Sequence, residues 1–183
     1  ALISDLKTDA LKERHWKDIY RVLQLVVPQS QLSLNNLWQA DLKKKETALR
    51  EVLSAATGEM ALEEFLRELS EYWDNLELDL VNYQDKCRLI RGWDELFLKL
   101  DEHTNQLLSM RQSPFFKVFE GKATEYEGKL EELHEILDQW IDVQRRWVYL
   151  EGIFYGSQDI KIQLKSEFNR FKGIDNDFIA IMR

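Results

Sequence analysis

One helix face constrains the fold of this chain more than any other feature, and it lies between residues 136 and 154. Apolar residues recur there at intervals of four, three, four, three and four positions: Ile136, Trp140, Val143, Trp147, Leu150 and Phe154. This spacing places side chains on one side of an α-helix, where they pack against neighbouring helices over several turns. The segment predicts a stiff helix within a bundle, and it carries no pattern typical of catalysis.

The composition also favours helices around a hydrophobic core. The 183 residues include only two prolines and seven glycines, so long helices can run without interruption. Six tryptophans are many for this length, and an exposed indole is costly. We predict a structural seam formed by Trp16, Trp73, Trp93, Trp140, Val143, Trp147, Leu150 and Phe154. One or two of the indoles could instead be exposed binding hot spots.

Net charge argues against nucleic-acid binding. Twenty-five lysines and arginines stand against thirty-three aspartates and glutamates, a net charge of −8. Nucleic-acid binding needs an excess of positive charge to neutralise phosphates. The longest basic run, residues 43–45, is followed by acids and predicts a solvated helix face. No apolar run approaches the roughly 20 residues that span a bilayer, so we expect neither a nucleic-acid partner nor a membrane partner.

Cysteine use and the chain ends suggest a cytoplasmic fragment. Cys87 is the only cysteine, and the chain has no Asn-X-Ser/Thr acceptor and no signal peptide. These features favour a reducing compartment. The chain opens on Ala1 and closes on Met182 and Arg183 within an apolar periodic segment. We therefore expect residues 1–183 to be a single fragment of a longer protein, without a complete second domain.

The periodicity predicts helices separated by one hairpin. Between residues 76 and 81, three leucines alternate with Glu77, Asp79 and Val81. Residues 82–86 are of turn type, and residues 87–91 could form a return strand whose arginines oppose the acids. The alternative is one continuous helix. The predicted helices cover residues 8–26, 38–56, 59–76, 93–110, 114–153 and 166–182, with an interruption or kink at Gly58 and a Ser113 cap. The fold class is thus mainly α, an elongated antiparallel helical bundle with a β-hairpin at about residues 76–91.

The sequence offers little catalytic chemistry. Glu131 and His134 form one Glu-X-X-His pair, whereas a di-metal bundle needs two such pairs and further inward glutamates. Cys87 lacks a histidine nearby in sequence and is predicted to be a buried thiol. No glycine-rich phosphate loop is present. We expect no catalytic, cofactor-binding or metal-binding residues in this chain.

Two adjacent arginines interrupt the apolar face. Arg145 and Arg146 lie between Val143 and Trp147. They could be a solvated flank whose aliphatic stems cover the indoles. They could also form a docking edge for an acidic partner surface.

Four longer stretches of the sequence together form a specific pattern. Residues 11–16 read LKERHW, and residues 58–66 read GEMALEEFL. Residues 77–84 read ELDLVNYQ and are followed at 86–93 by KCRLIRGW; residues 140–154 read WIDVQRRWVYLEGIF. These stretches resemble the linker region of dynein heavy chains, most closely the cytoplasmic type, and their order and approximate spacing also agree over nearly the whole chain.

The resemblance implies the N-terminal part of a linker, a mostly helical rod that lies across a ring of AAA+ modules. Bending and straightening of that linker would produce the power stroke along microtubules. The ATP and magnesium sites would lie outside this chain, which should not hydrolyse ATP. The implied partners are the AAA+ ring of the same heavy chain, a second heavy chain, intermediate and light chains, dynactin and microtubules. The implied location is the cytoplasmic cytoskeleton.

Two other functions compete with a motor element. A helical scaffold or tethering module, such as a spectrin-like bundle, would be helical between residues 76 and 90. A di-metal helical enzyme would contain bound metal. The hairpin and metal analysis are therefore the discriminating observations.

Overall fold

The chain is predominantly helical, and a strand pair separates two of its long helices. The computed structural model describes residues 2–183, with the side chains of all of these except residues 2, 3, 34 and 38. The helices are α1 (Leu2–Asp5), α2 (Glu13–Leu23), α3 (Leu34–Gln39), α4 (Glu46–Asp74), α5 (Trp93–Met110), α6 (Glu120–Gly156), α7 (Gln158–Gln163) and α8 (Lys165–Ile181). The strands are β1 (Leu80–Tyr83) and β2 (Cys87–Ile90), and 3-10 turns cover Gln29–Gln31 and Phe116–Val118. The predicted mainly helical class with a small hairpin is confirmed. Among the described residues, no helix is long and apolar enough to cross a bilayer.

The chain divides into two compact units. Unit 1 comprises Ala1–Trp73 with Leu108–Ala123, and unit 2 comprises Asp74–Leu107 with Thr124–Arg183. In unit 1, Ile19 and Leu23 of α2 pack with Leu37 of α3 and Leu49 of α4. Ile19 and Leu49 are fully buried there.

The core of unit 2 joins the hairpin to α6 and α8. Ile90 of β2, Trp147 of α6, and Phe171 and Phe178 of α8 belong to one buried cluster. The cluster is rich in aromatic rings: Trp147 stacks on Phe178 with ring centroids 4.4 Å apart. Unit 2 therefore brings together segments that are far apart in the sequence.

The hairpin begins later than the sequence predicted. Residues 76–79 are not strand, and β1 starts at Leu80, which pairs with Ile90. Gln84 and Asp85 both have positive φ, the signature of a type I′ turn. Arg91 and Asp79 form the expected opposite-charge pair, with Nε 2.8 Å from Oδ2.

Gly58 lies within a continuous helix rather than at an interruption. α4 runs unbroken through Gly58, and the ring of Phe115 packs directly on that glycine. A Cβ atom at Gly58 would lie 2.2 Å from Phe115 Cδ2. The glycine therefore permits a close ring contact within unit 1, which corrects the predicted helix break.

The long helix of unit 2 begins later than expected. Ser113 Oγ accepts a hydrogen bond from the backbone N–H of Phe115, two residues on, over 3.3 Å. A short 3-10 turn follows, and α6 starts at Glu120. Ser113 thus closes a local turn. It does not cap α6, because that helix begins only at Glu120.

Candidate functional site

A buried glutamine joins α6 to the outer edge of the hairpin. Gln144 is 3% exposed. Its Oε1 accepts from the backbone N–H of Ile90 over 2.9 Å, and its Nε2 donates to the carbonyl of Ile90 over 2.9 Å. An amide side chain can satisfy both backbone groups of one residue, as a neighbouring strand would. Gln144 therefore covers the edge of β2 at that point.

The end of α8 covers the same edge one pair further along. The backbone N–H of Arg88 donates to the carbonyl of Met182 over 3.1 Å. Met182 is the residue that caps α8 at its C-terminus, where helix carbonyls lack intrahelical partners. The strand edge and the helix end therefore satisfy each other.

A buried carboxylate holds the turn of the hairpin against α6. Glu151 is 2% exposed. It accepts from the hydroxyl of Tyr83 over 3.0 Å and from the ammonium of Lys86. Burial raises the pKa of the Tyr83 hydroxyl, and its hydrogen bond to Glu151 acts in the same direction. A buried charge is stable only when paired in this way, so Glu151 fixes the turn in place.

A second buried carboxylate joins α8 to α6. Asp175 Oδ1 accepts from the indole Nε1–H of Trp147 over 3.0 Å, and Oδ2 accepts from the hydroxyl of Tyr155 over 2.9 Å. Asp175 is 8% exposed, and Trp147 is 2% exposed. Burial raises the pKa of the Tyr155 hydroxyl, and its hydrogen bond to Asp175 acts in the same direction. We call Tyr83, Lys86, Gln144, Trp147, Glu151, Tyr155 and Asp175 the polar clamp.

The polar clamp is built to hold elements together. Both carboxylate oxygens of Asp175 and of Glu151 accept hydrogen bonds from the protein itself. Burial raises the pKa of the nearby Cys87 thiol, and the charge of Asp175 acts in the same direction, so the nucleophilic thiolate is disfavoured. In the part of the chain that the structure describes, no group of three or more potential ligands could hold a metal ion.

The structure distributes the eight predicted seam residues over both units. Trp147 and Phe154 are buried in unit 2, where Trp93, Trp140 and Leu150 are half-buried against the same cluster. Trp140 Nε1 donates to Met182 Sδ over 3.0 Å. Trp16 and Trp73 are half-buried residues of unit 1 and do not join that cluster.

Val143 is a correction to the seam. It is 49% exposed, and Ile136 is 50% exposed, whereas Leu137, Ile141 and Gln144 of the same helix are buried. The buried face of α6 is therefore turned by one residue at this part of the helix, whereas Trp147 and Phe154 are buried as predicted. The cause is the hydrogen bonding of Gln144 to Ile90, which brings a polar residue into the position expected for Val143.

The remaining predicted polar residues lie at the surface. Arg145 and Arg146 are both exposed, and Arg146 pairs with Asp142 of the same helix over 3.0 Å. Glu131 and His134 are exposed as well, and the His134 ring contacts Phe97 at 5.1 Å. The structure therefore separates these residues from the buried clamp.

Unit 1 contains a smaller buried polar cluster that the sequence analysis missed. His15 Nδ1 accepts from the backbone N–H of Lys12 over 3.0 Å, which places the proton of the neutral ring on Nε2. Nε2 lies 2.9 Å from Glu59 Oε2, which also accepts from Arg14 Nε over 2.6 Å. The helices α2 and α4 are thus joined through one carboxylate.

Periodicity did not predict that these polar residues are buried, because each occupies a core position where the spacing predicts an apolar side chain. The available hint was the spacing of Leu137, Ile141, Gln144, Val148 and Glu151, which follows one helix face with polar members. Nothing in that spacing identifies the partners of Gln144 and Glu151, which lie 54 to 68 residues away.

The whole chain matches one protein family. Residues 1–183 fit the family described as dynein heavy chain, N-terminal region 2. The chain is 52% identical over 182 residues to the cytoplasmic dynein heavy chain of Drosophila melanogaster, and 52% identical over 183 residues to that of Dictyostelium discoideum. It is 33% identical over 186 residues to human dynein axonemal heavy chain 10. These alignments cover 99–100% of the chain but only 4% of each relative. The chain therefore belongs to the dynein heavy chain, N-terminal region 2 family.

Proposed function

We propose that this chain is the N-terminal part of the linker of a cytoplasmic dynein, a mechanical lever that bends and straightens across a ring of AAA+ modules. The polar clamp of unit 2 supports this role. It joins the hairpin, α6 and α8 through buried hydrogen bonds, so that unit 2 would resist deformation under load. ATP and magnesium would act in modules outside this chain.

The proposed setting is a cytoplasmic motor on microtubules. The AAA+ ring of the same heavy chain would be the direct partner, within a homodimer that carries intermediate and light chains and binds dynactin. The two units would be parts of one linker fragment. The hairpin argues against a spectrin-like scaffold, because such a bundle would be helical at residues 80–90.

The test measures distances in the complete heavy chain. A fluorescent donor is attached at Gly128 of α6, where a side chain would meet no other atom within 4 Å of its Cβ, and is combined with an acceptor on the ring. We expect energy transfer to change between nucleotide states. A second pair at the exposed residues Gln139 and Asn176 of unit 2 is the control and should stay constant. Constant transfer between Gly128 and the ring would contradict the lever.

A further inference from the structure

One edge of the hairpin is open. Ile90 and Arg88 direct their backbone groups away from β1, towards Gln144 and Met182. Their partners Leu80 and Asn82 therefore belong to the non-hydrogen-bonded pairs of the ladder, and their own N–H and C=O groups point away from β2. Among the described residues, no hydrogen bond ends on the backbone of Leu80 or Asn82. β1 is thus a free strand edge next to a rigidly held strand.

An apolar groove lies over one face of the hairpin, the face that carries Val81 and its partner Leu89. Its volume is about 380 Å³, and Trp93 and Val148 also line it. Leu80 and Val81 are 43% and 41% exposed. Isolated exposed residues are ordinary, whereas apolar residues grouped around a groove and an open edge are typical of peptide-binding sites.

The charge around the groove is positive although the whole chain is acidic. The lining contains Arg91 and Arg145 and no acidic residue. Asp79 balances Arg91, whereas Arg145 makes no ion pair within the described chain. Arg88 is exposed on the opposite face of the hairpin and is likewise without an acidic partner among the described residues. Each face therefore carries one uncompensated guanidinium.

We propose that β1 is the docking edge for an extended peptide segment of alternating apolar and acidic residues, which adds to the hairpin as a third strand. The backbone of the segment pairs with Leu80 and Asn82. Its apolar side chains lie on the groove face beside Val81, and its carboxylates lie on the opposite face, where Arg88 is exposed. Strand addition supplies affinity through main-chain hydrogen bonds, and the alternating side chains supply specificity. This inference is independent of the lever.

The test uses calorimetric titration of the full chain with a blocked nine-residue peptide in which valine alternates with glutamate. We expect saturable binding of one peptide per chain. A matched peptide with lysine for glutamate, and one with alternate amides N-methylated, should each bind at least about tenfold more weakly. Absence of saturable binding, or equal binding of the lysine peptide, would overturn the proposal.

Three variants locate the site. Asn82→Pro removes an N–H that faces outward and leaves the hydrogen bonds to β2 intact. It should therefore weaken binding of the glutamate peptide by roughly tenfold. Arg88→Glu should weaken it by a similar factor, while the control Arg146→Glu, with the same charge change at an exposed arginine of α6, should stay within about twofold. Unchanged affinity in the proline variant, with circular dichroism like the parent, would show that the peptide binds elsewhere. Sedimentation without peptide tests whether the chain forms dimers. Dimers that disappear in the Asn82→Pro variant would assign the edge to a second copy of the chain and overturn the proposal.

Discussion

Trp147 and Asp175 are joined by a buried hydrogen bond, in which the indole Nε1–H donates to Oδ1 over 3.0 Å. The two residues lie on different helices, α6 and α8. This bond, with the second one from Tyr155, explains why an acidic residue can occupy the core side of α8. A buried carboxylate without donors would be strongly destabilising.

Trp147→Phe tests that bond. Phenylalanine keeps an aromatic ring on Phe178 but removes the donor to Asp175, so we expect a loss of about 2–4 kcal/mol in the free energy of unfolding. Trp140→Phe is the matched control, because its indole donates only to the weak acceptor sulfur of Met182. It should cost about 1 kcal/mol. Urea denaturation followed by circular dichroism gives both values, and equal losses would contradict the role of Asp175.

Tyr83→Phe tests the clamp at the turn of the hairpin. The substitution removes one of the two donors to the buried Glu151, and a hydrogen bond to a charged group contributes about 1.5–3 kcal/mol. We expect a loss in that range by urea denaturation. Tyr149→Phe, at a position 68% exposed, should change stability by less than about 0.5 kcal/mol. If the two substitutions had the same effect, Glu151 would not depend on Tyr83.

The sequence predicted the helical class and the hairpin because both leave local signals. The change from helical to alternating periodicity, followed by turn residues, lies within about 15 positions of the chain. The first residue of β1 was missed because pairing with Ile90 decides it. Propensity and alternation alone do not define where a ladder begins.

The buried side of α6 was predicted one residue out of register at one turn of the helix. The sequence favoured Val143, whereas the structure buries its neighbour Gln144. One residue turns a helix by about 100°. The glutamine is stable inside because the backbone of Ile90 provides its partners, and periodicity in one segment contains no information about partners in another.

Two glycine substitutions should have opposite effects. Gly58→Ala places a methyl group 2.2 Å from the Phe115 ring, so the ring must move, and we expect a loss of about 1–3 kcal/mol. Gly128→Ala, at an exposed position of α6 with no atom within 4 Å, should gain about 0.5–1 kcal/mol from helix propensity. Thermal melts of both variants measure this difference. A Gly58→Ala variant as stable as Gly128→Ala would show that Phe115 does not restrict the site.

His103 should make the chain less stable at mildly acidic pH. Burial lowers the pKa of His103 below its ordinary value of 6.5, and the charge of Lys99 acts in the same direction against Glu102. Between the folded and unfolded pKa values the unfolded state binds more protons, so stability rises with pH in that window. The contribution is complete above about pH 6.5 and is lost as the pH falls through the folded pKa, with a slope of at most about 1.4 kcal/mol per pH unit.

The measurement is the free energy of unfolding at pH 7.5, 6.5 and 5.5 for the parent and for His103→Gln. Every other group is the same in both proteins, so the difference between the two curves reports on His103 alone. We expect the parent to lose more stability than the variant between pH 7.5 and 5.5, because glutamine cannot take up a proton. Parallel curves would mean that His103 has the same pKa in the folded and unfolded chains, and its burial would then have no effect on proton binding.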